Sequence, residues 1–267
     1  MTAIPELAEA DATGEIAAIY AEMCRLNAVP YVSAMQRHLA TRPGWLEWVW
    51  QALAPAFRAG RAQETAWRLA ADLPLAPLPA LSRAALDDWG VNTQAVATIC
   101  DSFVRVSPQN MVFAGLLRRL LQGERPGGGG PPASWTPPPP LPAMPPIPTV
   151  DPALLKPFEV DLGAGPFVPS LWRLLAHWPG LLAHLATQVP PRIADPATRA
   201  ACDALAARID QAVPAILADL PALAGGPPAE GRDAVLAVLA NYRRTSPQMV
   251  VFGRLIRQAL PGADRLE

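Results

Sequence analysis

Residues 126–148 read PGGGGPPASWTPPPPLPAMPPIP, and this stretch decides how the rest of the chain is parsed. No helix is expected through it, because each proline lacks an N–H donor and its ring collides with the preceding turn. The four glycines predict a flexible joint, and the polyproline run after them a semi-rigid extended segment. No basic residue flanks PPPPLP, which favours a linker over a ligand for an SH3-type domain. The chain holds 33 prolines in 267 residues, and much of that excess lies in this one place.

Both flanks are helical in pattern. Upstream, Ile16, Ile19, Tyr20, Met23 and Leu26 recur at helical spacing and predict a helix over Asp11–Ala28 with Thr13 as its cap. Helices over Tyr31–Thr41 and Gly44–Phe57 are expected next, with Pro43 at the first position of the latter. Further helices are expected near 61–72, 80–88, 93–106 and 108–122. Downstream the pattern predicts 168–177, 180–189, 197–219, 231–244 and 247–260, with a kink or split at Pro214. No alternating run is long enough for a strand, so the fold class is all-α.

The two flanks also resemble each other. Pro30-Tyr31-Val32 matches Pro166-Phe167-Val168, and Arg37, Leu39, Ala40, Pro43, Gly44 and Leu46 match Arg173, Leu175, Ala176, Pro179, Gly180 and Leu182. Arg105-Val106-Ser107-Pro108-Gln109 aligns with Arg244-Thr245-Ser246-Pro247-Gln248. Val112, Phe113, Leu116, Arg118 and Leu121 then align with Val251, Phe252, Leu255, Arg257 and Leu260. This predicts a first helical repeat over 1–124, a linker over 125–157 and a second repeat over 158–267. Together they would form a pseudo-dimer within one chain. Fusions of this kind often place a site between the copies.

Ser107 and Ser246 each precede a proline, which reads as an N-cap followed by Pro at the first helical position. A helix start of that kind offers free N–H groups to a carboxylate, with Arg105 and Arg244 close by. Trp45 and Trp48 share a helical face while Trp50 points elsewhere, and Trp172 and Trp178 flank the equivalent junction. Such indoles read as core, or as walls of a water-poor pocket.

Several function classes are excluded. The 22 basic and 23 acidic residues leave a formal net charge of -1, with no basic footprint for nucleic acid and no polybasic signal for membrane. No run reaches the ~18 apolar residues of a membrane span. The start, MTAIPELAEADATGE, lacks the basic and apolar regions of a signal peptide, so a cytoplasmic protein is expected. Cys24, Cys100 and Cys202 form no CxxC pair, and each reads as buried filler. His38, His177 and His184 carry no metal-ligand spacing. A P-loop, a GxSxG elbow and a dinucleotide GxGxxG after a strand are all absent.

The run from Gly14-Glu15 through Ala28-Val29-Pro30-Tyr31-Val32 to Arg37-His38-Leu39-Ala40-Thr41-Arg42-Pro43-Gly44-Trp45-Leu46 resembles the N-terminal signature of the group I 2-haloacid dehalogenases. These are also known as halocarboxylic acid dehydrogenases. The Ser-Pro-Gln turn after Phe103 is similar to that family's Asn-Pro turn, and His177-Trp178-Pro179 to its Asn-Trp-Pro stretch. The resemblance implies two repeats of alkylhydroperoxidase-D-like type with a site between them and no cofactor or metal. It implies hydrolysis of D- and L-2-haloacids, an aspartate activating a water that attacks C2 with inversion. Carried over residue by residue, the aspartate falls on Leu171, after a retained Ser170, and the water-holding asparagine falls on Ser107. Leucine accepts no proton, and residues 162–194 contain no carboxylate. General-base catalysis supplies about 10²–10⁴-fold, so weak or absent hydrolysis is expected.

Substrate contacts are expected at Tyr31, Ser107, Ser170 and Trp172. A small carboxylic acid is the expected partner, and a second copy of the chain is an admissible one. Three readings stand: a dehalogenase with another base, a carboxylate-binding pseudoenzyme, and a helical interaction scaffold.

Overall fold

The computed structural model describes residues 5–129, 135–161 and 166–262. Its helices are α1 (Gly14–Asn27), α2 (Ala34–Leu39), α3 (Trp45–Arg58), α4 (Arg61–Ala71), α5 (Arg83–Asp88) and α6 (Thr93–Leu121). After the Pro-rich stretch come α7 (Pro152–Leu155), α8 (Ser170–Leu175), α9 (Pro179–Ala194), α10 (Pro196–Ala218) and α11 (Arg232–Ala259). The fold is all-α. Its one extended element among the described residues is a two-residue antiparallel ladder, β1 (Val160–Asp161) on β2 (Pro166–Phe167).

The long helices correct the reading of the Ser-Pro-Gln turns. The segments expected at 93–106 and 108–122 form the single helix α6, and those at 231–244 and 247–260 form α11. Ser107 and Ser246 are therefore helix-interior residues and not caps. Interior proline costs ~3 kcal/mol or more, but α6 buries Val106, Val112, Phe113, Leu116 and Leu117 on either side of Pro108. Each such side chain returns ~1.5–3 kcal/mol, so burial outweighs the break. The carbonyl of Arg105, three residues before Pro108, accepts both the Trp67 indole N–H and the Gln109 amide, each at 2.9 Å.

Other differences follow from the same balance. α10 continues through Pro214, and α9 runs on through Pro190 and Pro191 to Ala194. Pro43 lies outside α3, which starts at Trp45 after Gly44 at φ +75°. Thr13 occupies the cap position of α1, but its side chain makes no cap hydrogen bond.

α6 and α11 form an antiparallel central pair. Arg232 at the start of α11 donates to the carbonyl of Leu121 at the end of α6, and Arg257 pairs with Asp101 at 3.2 Å. A Cβ at Gly253 would lie 3.2 Å from the carbonyl oxygen of Cys100, so the helices touch backbone to backbone there. α4 and α10 pack on α6, as does α8, while α2 packs on α11. Two apolar cores result. One joins α1, α3, α4 and the C-terminal half of α6 to α10 and the start of α11. The other joins α5 and the N-terminal half of α6 to α8, α9 and the end of α11. Each core thus draws on both halves of the sequence.

The Pro/Gly stretch is fastened to this body where a flexible joint was expected. Gly128 and Gly129 donate to the carbonyl of Leu220 at 3.0 and 3.1 Å, and Leu141 to that of Ala28 at 3.2 Å. Arg105 holds the carbonyl of Pro139 at 2.9 Å, and His177 donates through Nε2 to that of Pro146 at 2.6 Å. The Trp135 ring lies 6.3 Å from that of Trp67 and covers Gly60.

Candidate functional site

The site is set by the two short helices that face the central pair. Tyr31, just before α2, places its ring 5.6 Å from Phe103, one turn before Ser107 on α6. In the second half Phe167 lies 6.5 Å from Tyr242 on α11, edge to face. α8, carrying Ser170, Leu171 and Trp172, lies on α6, the helix of Ser107.

A buried polar chain runs inward from Tyr31. Ser33 stands beside the Tyr31 hydroxyl, and Asn110 Nδ2 donates to Ser33 Oγ at 2.6 Å. Gln36 Nε2 donates in turn to Asn110 Oδ1 at 3.0 Å, while its own Oε1 is buried with no partner. Burial pushes the phenol pKa of both Tyr31 and Tyr242 up, so both remain neutral donors at ordinary pH.

A segment from Pro5 to Asp11 closes over this chain. Arg37 donates through Nε and Nη2 to Glu6 Oε2 at 3.1 and 2.5 Å, and its Nη1 lies 3.8 Å from Glu9. Leu7 N–H donates to the Arg37 carbonyl at 3.0 Å, and Val32 N–H to Glu9 Oε1 at 2.9 Å. His38 Nδ1–H donates to the Pro5 carbonyl at 2.8 Å, which leaves Nε2 as a buried bare acceptor. The Tyr20 hydroxyl donates to the Leu7 carbonyl at 3.2 Å, and burial pushes its pKa up to about 12. Beyond burial, Glu6 raises the Tyr242 phenol pKa further, while Arg37 and Arg173 oppose that rise.

The residues singled out in the sequence fall unevenly on this frame. Leu171 is 0% exposed, inside the second core. Trp172, beside it, stacks on Phe158 at 4.6 Å and lies 5.7 Å from Phe252. Ser107 is buried at mid-helix and Ser170 is half-buried at the start of α8. Arg105 serves structure: it caps the carbonyl of Ala28 at the end of α1 at 2.9 Å, next to Gln109 on Asn27 and Gln63 on Leu26. These three side chains satisfy carbonyls that a helix terminus leaves open. Trp45 and Trp48 meet edge-on at 6.1 Å, and Trp50 turns away to donate to Glu22 at 2.7 Å.

Three carboxylates around this frame are held in ion pairs: Glu6 and Glu9 by Arg37, and Asp101 on α6 by Arg257. Burial raises the Asp101 pKa above its ordinary value, with Arg257 opposing that shift. Burial also pushes the thiols of Cys24 and Cys202 up to about 12 and that of Cys100 higher still, so no thiolate nucleophile is poised. Among the described residues no group of three or more His, Cys, Asp or Glu stands close enough to hold a metal ion. None of the described helices is long and apolar enough to cross a membrane. The clasp of Glu6 on Arg37 and the Ser33–Asn110–Gln36 chain were not singled out from sequence, since each joins residues 31 to 77 positions apart.

No protein-family model matches the chain, and no curated protein sequence matches it. Solved structures do. One described as the complex structure of D-2-haloacid dehalogenase with L-LA aligns with a TM-score of 0.71 at 20% identity, covering 97% of each chain. A complex of a D-2-haloacid dehalogenase mutant with D-2-CPA, and a crystal structure of such a mutant, each align at TM-score 0.68 and 20% identity. Each of these covers 97% of this chain and 96% of the other. The chain therefore has, over nearly its whole length, the fold seen in D-2-haloacid dehalogenases.

Proposed function

We propose that this protein binds small carboxylic acids on a 2-haloacid dehalogenase fold and hydrolyses 2-haloacids weakly or not at all. One observation carries the reading: Leu171, the position that the resemblance assigns to the water-activating aspartate, is 0% exposed inside the second apolar core. A water held there by Ser107 would lack a base, and the missing base accounts for about 10²–10⁴-fold in rate. Tyr31, Ser107, Ser170 and Trp172 are the proposed ligand contacts, and the reading requires no cofactor.

We propose also that the chain is a duplicated unit, with repeats over 1–124 and 158–267. The exchanged pairs Tyr31–Phe103 and Phe167–Tyr242 support it, as do two long helices that both carry a proline at the matched position. The fastening of residues 127–129 and 139–146 to the helices supports a strap over a free scaffold segment.

The test pairs binding with turnover. Short carboxylates such as propionate should raise the melting temperature of the protein, while 2-chloropropionate should release no chloride beyond a protein-free blank. Leu171→Asp, alone or with Ser107→Asn, should gain dehalogenation, because aspartate supplies the base and its smaller side chain leaves room for water. Absence of any carboxylate effect on stability would refute the binding function.

A further inference from the structure

On the α10 side of the central pair lies a pocket that shares no residue with Tyr31, Ser107, Ser170 or Trp172. Its volume is about 100 Å³, and its floor is apolar, from Met111, Ala114, Ile209 and Leu239. Its rim is charged. Asp210 on α10 accepts Arg118 Nη2 at 3.1 Å, and accepts Arg243 through Nε at 3.0 Å and Nη2 at 2.5 Å. The Arg118, Asp210 and Arg243 side chains are 33%, 25% and 48% exposed, so the ion cluster stands at the mouth and not in the core.

We infer that this pocket is a binding site for a short, unsubstituted monocarboxylate, seated with its alkyl chain on the floor and its carboxylate on Arg118 and Arg243. Charge favours it. Two guanidiniums face one carboxylate, which leaves a net positive charge at the rim. A guanidinium has five N–H donors, and Asp210 takes one from Arg118 and two from Arg243. The remaining donors suit a second carboxylate, which arginine grips with its planar fork.

Size narrows the class. An apolar cavity of about 150 Å³ holds benzene, so a pocket of about 100 Å³ fits a chain of roughly three or four carbons. A dicarboxylate would bury its second charge on an apolar floor, and an amine would meet the arginines. The close approach of α10 that shapes the pocket depends on Gly115, where an added Cβ would lie 2.8 Å from Val213. α11 supplies Ala240 at the mouth, and a larger side chain there would fill the opening.

Isothermal titration of the full chain with sodium butyrate at low salt tests the site, with butyramide and butylamine as uncharged and cationic controls. Butyrate should bind saturably, and the controls at least tenfold more weakly. Ala240→Leu, which suits a helix, should abolish the part of the butyrate signal that persists in Tyr31→Phe, and Arg243→Gln should weaken that part about tenfold. Asp210→Asn should strengthen it severalfold by freeing both arginines, whereas a purely structural Asp210 would give a loss. Butyrate binding that survives Ala240→Leu and Arg243→Gln but is lost in Tyr31→Phe would overturn this site while leaving carboxylate binding at the α2–α8 frame intact. Absence of binding in every form would overturn both.

Discussion

Placing an aspartate at position 171 measures whether that position is packed core or open pocket. Leu171 is 0% exposed, and its neighbour Trp172 is 1% exposed between Phe158 and Phe252. Truncating a buried leucine costs about 2–5 kcal/mol. A buried carboxyl without a partner adds about 1–3 kcal/mol even when neutral. Leu171→Asp should therefore lower unfolding free energy by roughly 3–8 kcal/mol near pH 4.

The loss should grow with pH. Burial raises the carboxyl pKa in the folded state above its unfolded value of about 3.9, so folding takes up a proton that alkali removes. Between the unfolded and folded pKa values the variant should lose ~1.4 kcal/mol per pH unit relative to the parent. Urea denaturation at several pH values from 4 to 7, read by far-ultraviolet circular dichroism, gives both numbers. A penalty below about 1 kcal/mol with no pH dependence would place residue 171 in a solvated pocket and refute the packing argument.

Three further outcomes are expected elsewhere. Trp50 Nε1 holds Glu22 at 2.7 Å, and Arg58 holds it through Nε and Nη2, each at 2.8 Å. Arg58 thereby lowers the Glu22 pKa below its ordinary 4.5, so the stability is present above pH 4.5 and is lost as pH falls through the lower folded value. Glu22→Gln should cost about 1 kcal/mol at neutral pH and nothing in acid; a penalty that persists unchanged at pH 2 would contradict this. Gln109→Ala strips donors from the carbonyls of Asn27 and Arg105 and should cost about 1–3 kcal/mol in urea melts; a loss under 0.5 kcal/mol would mean that these bonds matter little. Gly60→Ala strains a φ of +73° and drives a Cβ into the ring of Trp135, so the strap near 135–148 should become a site of limited proteolysis. Unchanged protease resistance would show that the strap does not depend on that contact.

The parts of the fold that local pattern controls were legible. Apolar spacing located α1, α3, α4 and α10 to within a few residues, because each buries one continuous face. The Ser-Pro-Gln turns misled, since Ser before Pro is the local grammar of a helix start. At Pro108 and Pro247 tertiary burial overrode that grammar. The strap's docking was hidden for a different reason: its bonds reach partners distant in sequence, among them Arg105 and His177 on the carbonyls of Pro139 and Pro146, 34 and 31 residues away. Tyr31 was named from the sequence and Phe103, whose ring it meets, lies near the quoted motif, whereas the Glu6–Arg37 clasp was not visible, because ordinary surface charges look the same in a sequence.

Chloride release is the most direct test of the central claim that the fold persists here without the hydrolytic base. Purified protein with D- and with L-2-chloropropionate should release chloride no faster than the protein-free blank. Sustained release from either enantiomer, in proportion to protein concentration, would contradict the account and require a base other than the residue at 171.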